Sequence, residues 1–180
     1  MIIRQAHPED APAMARFGID TFLTAHKGQI SEEALRKRKE EWSQEESERN
    51  WHRTLREISD GISPRSCVYI ALDQSGEVIG IAMGCPTEAA AHVGEIVSIY
   101  VRTSHQRQGI GRRLVQAVAI HLAQHGMTAL QIGALRANAP ARRFYESLGG
   151  RVIGERTYEE GGVLEPGLVY GWTDIADFRS

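Results

Sequence analysis

Three apolar runs of strand length follow one another between residues 67 and 101, with nothing helical between them. The first two, residues 67–72 and 77–85, flank Asp73, Gln74, Ser75 and Gly76, a turn composition that closes an antiparallel hairpin. The third, HVGEIVSIYV, alternates Glu95, Val97, Ile99 and Val101 on one side with Ile96, Ser98 and Tyr100 on the other. A chain with this block at its centre must be organised around a sheet.

Helical periodicity surrounds the block. Ile2, Ile3 and Ala6 open a short strand, and Pro8 to Asp10 start a helix over about 9 to 25, carried by Ala11, Met14, Ala15, Ile19, Phe22 and Leu23 and ended at Gly28. Residues 31–59 are dense in Glu, Arg and Lys but punctuated by Leu35, Trp42, Trp51, Leu55 and Ile58. This predicts one or two amphipathic helices, capped at Ser31, with the tryptophans as packing anchors. A helix follows from Gly109 to Gly126, then a strand TALQIGAL, a short helix NAPARRFYESLG, and two closing strands, RVIGERTYEE and GLVYGW. The order of elements indicates an α/β fold with mixed strand directions, in one domain spanning residues 1–180. With 42% hydrophobic and 24% charged residues the chain can bury a core and lies outside the disordered range.

No stretch has the apolar length of a membrane span, and the first residues lack the pattern of a secretory signal. Cys67 and Cys85 form no disulfide framework and no zinc pattern. A hairpin turning about Gln74 and Ser75 would set Cys67 opposite about residue 82, so the thiols would not meet. Two reduced, packed cysteines place the protein in the cytoplasm.

The net charge of -2 hides a division: no acidic residue lies between Glu95 and Glu146, an interval holding Arg102, Arg107, Arg112, Arg113, Arg136, Arg142 and Arg143. A cationic half beside an acidic half suggests a polyanionic ligand on one side. Within it lies Gln106-Arg107-Gln108-Gly109-Ile110-Gly111-Arg112, between a strand and a helix start. Two glycines let the backbone approach a ligand, and unpaired amides at a helix start bind phosphate. The segment is neither a Walker loop nor a dinucleotide fingerprint, since it lacks Gly-Lys-Ser/Thr and no acid follows before Glu146.

SIYVRTSHQRQGIGRRLV followed by NAPARRFYESLGGRVIG resembles the two cofactor-binding motifs of the GNAT superfamily of N-acetyltransferases. The resemblance implies a mostly antiparallel, twisted sheet flanked by helices, with acetyl-coenzyme A as co-substrate and a primary amine of a small molecule or peptide as acceptor. It implies that Ile99, Tyr100 and Val101 offer main-chain groups to the pantetheine arm. Arg107, Gln108, Gly109, Ile110, Gly111 and Arg112 would cradle the pyrophosphate, and Asn138 would hold the arm from the other side. Arg142 and Arg143 become candidate phosphate contacts. Tyr145 stands where the family has a tyrosine near the thioester sulfur, placed to protonate the departing thiolate. Glu95 stands where histone-acetylating members hold their general base, with Glu88 as the next candidate. Members that acetylate ribosomal-protein termini carry their base at the position of Gly133 here. In this fold the acceptor enters past the first helices and the late hairpin, which supply Asp20, His26, Glu32, Trp42, Glu159 and Glu160.

The resemblance is equally compatible with a non-catalytic sensor of acetyl-coenzyme A and with a homodimer. A nucleic-acid partner is disfavoured because no aromatics are interleaved with the arginines. His121 and His125 share a helix face, but Leu122 replaces the glutamate of a metalloprotease motif and no third ligand is evident, so no metal is expected.

Overall fold

A computed structural model describes residues 1–87, 90–160 and 162–178, the side chain of Glu160 excepted. Strand β1 (Ile2–Gln5) leads through a single turn into α1 (Ala11–His26), α2 (Glu32–Glu41) and α3 (Gln44–Ser59). Strands β2 (Cys67–Leu72), β3 (Val78–Pro86) and β4 (Val93–Val101) precede α4 (Ile110–Gln124). The chain continues through β5 (Ala129–Leu135), α5 (Ala139–Ser147), β6 (Arg151–Glu160) and β7 (Val163–Trp172). The polar stretch resolves into two helices because it holds two caps: Ser31 accepts from the Ala34 amide at 3.1 Å and Ser43 from that of Glu46 at 3.3 Å.

The seven strands lie in the order β1-β2-β3-β4-β5-β7-β6, and only β4 and β5 run parallel. One face carries α4, whose Ile110, Leu114, Val115, Val118 and Leu122 are buried against Ala82, Ile96, Leu130 and Ile132. Fully burying a side chain of this kind stabilises by about 1.5 to 3 kcal/mol. Gly84 and Gly94 make the close fit possible, since a Cβ at Gly84 would run into Val118 and one at Gly94 into Leu122. Opposite, α1 and α3 pack Met14, Phe17 and Leu55 against Val68, Ile70 and Ile81, with Trp51 at the margin as an anchor. Phe22, Ile30 and Ala34, at and beyond the end of α1, pack with Leu135, Tyr100, Tyr158 and Val163.

The hairpin differs from the expected register. Asp73 N–H donates to the Glu77 carbonyl at 3.0 Å, enclosing three residues, and Gly76 takes a φ of +84°. A second irregularity follows between Ala71 and Leu72, so Cys67 pairs with Gly84 instead of residue 82. Cys67 turns to the α4 face, Cys85 to the other, and both are free thiols. Strand β7 begins upstream of GLVYGW; Pro166 is accommodated because β7 pairs there with β6 alone.

The consequential departure is in β4. Met83 faces Ser98 while Gly84 faces Ile96, which leaves Val97 as a bulge, 54% exposed. One extra residue reverses the alternation. Ile96, Ile99 and Val101 therefore share the α4 face, whereas Glu95, Ser98 and Tyr100 share the other; the expected grouping of Glu95 with Ile99 and Val101 does not occur. β4 also pairs with β5 only from Val93 to Ile96, opposite Ala129 to Ile132. Beyond Val97 and Gly133 the strands part and leave a slot in the middle of the sheet.

Candidate active site

The segment between β4 and α4 is a ready anion cradle. Arg107 has a φ of +59° and Gly109 one of +79°, and this left-handed geometry turns successive amides toward one concavity. The amides of Gln108 to Arg112 have no partner among the described residues, while the first intrahelical bond is donated by Arg113 to the Gly109 carbonyl at 3.1 Å. The Gln106 side chain donates to the Val101 carbonyl at 3.1 Å and ties the loop to the strand end. The two glycines have different duties. Gly109 supplies the positive φ; Gly111 faces α5, where a Cβ would approach Phe144 to 3.1 Å. Helix packing therefore favours glycine at residue 111.

The arginines divide as well. Arg102 pairs with Glu77 at 3.3 Å, Arg136 with Glu155 at 2.6 Å, and Arg142 donates to the Tyr170 hydroxyl at 3.3 Å and the Arg136 carbonyl at 3.1 Å. Arg142 thus braces α5. Arg107, Arg112, Arg113 and Arg143 are exposed and have no acidic partner among the described residues. These surround a cradle that suits a pyrophosphate.

From the cradle the slot runs along β4 toward the bulge. Ile99 and Val101 send their side chains into the α4 cluster, so their main chain, with that of Tyr100, edges the slot. Across it, Asn138 caps α5, its Oδ1 accepting from the Ala141 amide at 3.0 Å, which leaves its Nδ2 to donate elsewhere. Seven residues on, Tyr145 is 5% exposed, with its ring 5.5 Å from Phe144 and 5.7 Å from Tyr170. Its hydroxyl makes no hydrogen bond within the described residues. Burial raises its pKa well above the ordinary tyrosine value, and Tyr100 and Tyr158 raise it further. A phenol so placed stays protonated at neutral pH and can donate.

The face away from α4 holds a polar cluster. Glu95 accepts from Arg156 at 2.5 Å on one oxygen and from Gln131 at 3.1 Å on the other. The carboxylate is 18% exposed and the guanidinium 38%. Arg156 is raised, chiefly by its hydrogen bond to Glu95. Tyr158 is raised by burial, against the opposing pull of the Arg156 cation nearby, and its hydroxyl is sealed from water without a hydrogen bond of good geometry among the described residues. Arg156, Tyr158 and Gln131 are absent from the sequence-derived candidates. Their signal is the alternation Gly154, Arg156, Tyr158 along β6, which turns these three inward while Glu155, Thr157 and Glu159 stay exposed.

Other candidates are dispersed. His26 is buried, its Nδ1 3.0 Å from the Phe22 carbonyl and its ring 6.1 Å from Tyr100. Asp20 lines a cleft of about 720 Å³ with Arg16, Glu77 and Arg102, none of which belongs to the Glu95 cluster. Glu32 and Glu159 are exposed and Trp42 is half-buried, while Glu88 and the Glu160 side chain lie outside the described residues. His121 and His125 stack at 4.3 Å, and among the described residues no three His, Cys, Asp or Glu side chains gather as metal ligands. No helix among them is long and apolar enough to cross a membrane.

Comparison with known proteins agrees with this geometry. Along its whole length the chain is similar to the uncharacterized N-acetyltransferase YuaI of Bacillus subtilis strain 168, with 28% identity over 182 residues, 99% of this chain and 96% of that protein. A shorter segment of 60 residues is 42% identical to N-alpha-acetyltransferase 60 of Drosophila melanogaster, covering 32% of this chain and 22% of that one. Among solved structures, the PaiA N-acetyltransferase of Thermoplasma acidophilum in complex with coenzyme A superposes with a TM-score of 0.74 at 16% identity, over 96% of this chain and 98% of that one. The ribosomal-protein-alanine N-acetyltransferase of Brucella melitensis does so at 0.69 and 23%, over 96% and 99%. The model of the acetyltransferase (GNAT) family matches residues 29–150, which span the parted strands, the amide cradle and α5, and the chain belongs to that family of acetyl-coenzyme A-dependent enzymes.

Proposed function

We propose that the protein transfers the acetyl group of acetyl-coenzyme A to a primary amine by direct attack in a ternary complex. The observation that carries this reading is the continuity of unpartnered cradle amides with a slot that ends beside the buried hydroxyl of Tyr145. Arg107, Arg112 and the amides of Gln108 to Arg112 would hold the pyrophosphate. The free edge of β4 at Ile99 to Val101 and the Asn138 amide would hold the pantetheine arm, with β4 N–H groups facing the thioester oxygen.

The amine nitrogen forms a bond to the carbonyl carbon, the C–S bond breaks, and the thiolate takes the Tyr145 proton. The proton that the ammonium must first lose would pass through water to Glu95. Because both oxygens of Glu95 already accept hydrogen bonds, contact through water is favoured over direct contact with the nitrogen. Likeness to an N-alpha-acetyltransferase and to a ribosomal-protein-alanine N-acetyltransferase gives weight to a peptide α-amine as acceptor, beside small amines.

The test is release of thiol from acetyl-coenzyme A with a panel comprising spermidine, free amino acids and short peptides with an unblocked terminus. Turnover with at least one amine is expected. Tight binding of coenzyme A without turnover on any amine would favour a sensor, and no binding would remove the reading.

A further inference from the structure

Strand β6 is the edge of the sheet, yet two of its side chains reach the middle. They can do so because β7 and β5 present glycines in their path. A Cβ on Gly167 would fall 2.2 Å from the Tyr158 ring, and one on Gly133 would fall 1.6 Å from the Tyr158 hydroxyl oxygen. The hydroxyl therefore occupies the place where a side chain at residue 133 would begin. Gly133 is also the first residue of β5 beyond the segment paired with β4, so this oxygen stands where the two strands part.

Tyr145 approaches from the α4 face and Tyr158 from the other, and Tyr158 is close enough to raise Tyr145 electrostatically. Tyr145 has ring partners on its own face. Among the described residues the Tyr158 hydroxyl makes no hydrogen bond of good geometry, although it is sealed from water and the Arg156 cation lies nearby. Loss of hydration without a replacement is unfavourable in the free protein and is relieved when a ligand supplies the missing partner. Glu95 and Arg156, the charged groups of the cluster, satisfy each other. The unmet hydrogen-bonding capacity here is that of a neutral hydroxyl.

We propose that the Tyr158 hydroxyl is the contact that holds the acceptor amine, accepting an N–H hydrogen bond where β4 and β5 part. The inference rests on the acetyl-transfer reading above and adds a residue to it. A nitrogen that donates one N–H to Tyr158 turns its lone pair away from that oxygen and into the slot, toward the thioester carbon. The hydroxyl is neutral, so it binds the free amine without holding back the proton that must leave. Ile30, Ala34 and Leu135 belong to the cluster against which Tyr158 packs, so access of an acceptor to the sealed hydroxyl requires that packing to open.

The test uses Tyr158→Phe and Gly133→Ala in the full chain, with spermidine and the peptide Ala-Ala-Ala as probes. Tyr158→Phe keeps the ring, so its Tm is expected to equal or exceed that of wild type, because no hydrogen bond of good geometry among the described residues is lost. Its kcat/KM for the amine is expected to fall about tenfold or more, while the KM for acetyl-coenzyme A stays unchanged. Gly133→Ala displaces the hydroxyl and is expected to reproduce that loss, with the double variant losing no more than the worse single one. Unchanged amine kinetics in Tyr158→Phe, or a parallel rise in the acetyl-coenzyme A KM, overturns the proposal and leaves Tyr158 as packing. Wild-type protein that binds coenzyme A and acetylates neither probe nor any other amine overturns the functional reading, and this inference with it.

Discussion

Replacing Tyr145 by Phe separates chemistry from packing, because the ring packs in the core while the proposed acid role belongs to the hydroxyl alone. The ring lies against Phe144 and Tyr170 in the α4 cluster, and Phe keeps those contacts. The hydroxyl has no hydrogen bond to lose and is held in a site that disfavours its ionisation. Stability near neutral pH should therefore change by less than about 1 kcal/mol, in either direction. Turnover should respond quite differently. A positioned general acid is worth roughly 100-fold, so kcat should drop by about that factor, equivalent to about 2.7 kcal/mol in the barrier.

The pH dependence of stability supplies a second readout with a definite sign. Tyr145 in the folded protein holds its proton to higher pH than the unfolded chain, whose tyrosines ionise near pH 10. Above that pH the folded state binds more protons than the unfolded one, so stability is lost as pH rises. Phe lacks this loss, and the Tm difference between variant and wild type should move in favour of Tyr145→Phe above about pH 10. Thermal melts by circular dichroism and steady-state kinetics with chemistry shown to be rate-limiting make the comparison. Wild-type kcat in a stable Tyr145→Phe would refute the acid role. A large fall in Tm at neutral pH would refute the assignment of the ring and hydroxyl to separate tasks.

Gly109→Ala forces a side chain into a φ of +79° and should cost about 1 to 2 kcal/mol, while misdirecting the cradle amides and weakening coenzyme A binding by calorimetry. Glu95→Gln should lower kcat/KM most at neutral pH and recover as the pH nears the amine's own pKa; a profile that only parallels wild type would assign Glu95 to holding Arg156. Burial pushes the Cys67 thiol up to about 12 and raises that of Cys85 less, with Glu95 adding to the rise. A thiol titration at pH 8 should accordingly count one slow cysteine in the native protein and two in denaturant.

Much of this architecture is legible in the chain because its punctuation is strong. Ser31, Gly28 and Gly126 bound helices where expected, and the apolar runs of β2 to β5 fall in place. The shape of the turn before α4 is legible too, since Gly109 supplies the positive φ that the helix start needs. What escapes is whatever depends on a neighbour. HVGEIVSIYV reads as an unbroken alternation, and only the opposing strand, with Gly84 set against Ile96, reveals the bulge that moves Glu95 to the other face from Ile99. Arg142 reads as a phosphate contact, and its bond to Tyr170, from the far end of the chain, is not legible beside it. RVIGERTYEE has the composition of a solvated edge strand. Its Arg156 and Tyr158 turn inward because Gly133 and Gly167, distant in sequence, leave them a trough.

The division of labour across the slot bears on how such a protein can change. The donor side is built largely from main-chain N–H groups and a left-handed turn, which most substitutions leave untouched. The opposite side depends on the identity of a few side chains, two of them delivered by a strand with only one neighbour. A peripheral strand can exchange residues without repacking the helices that hold the sheet together. Selection for a new acceptor would therefore act on residues 154–158 and their glycine counterparts, while the coenzyme cradle stays as it is. The molecule amounts to a fixed power supply with an interchangeable socket.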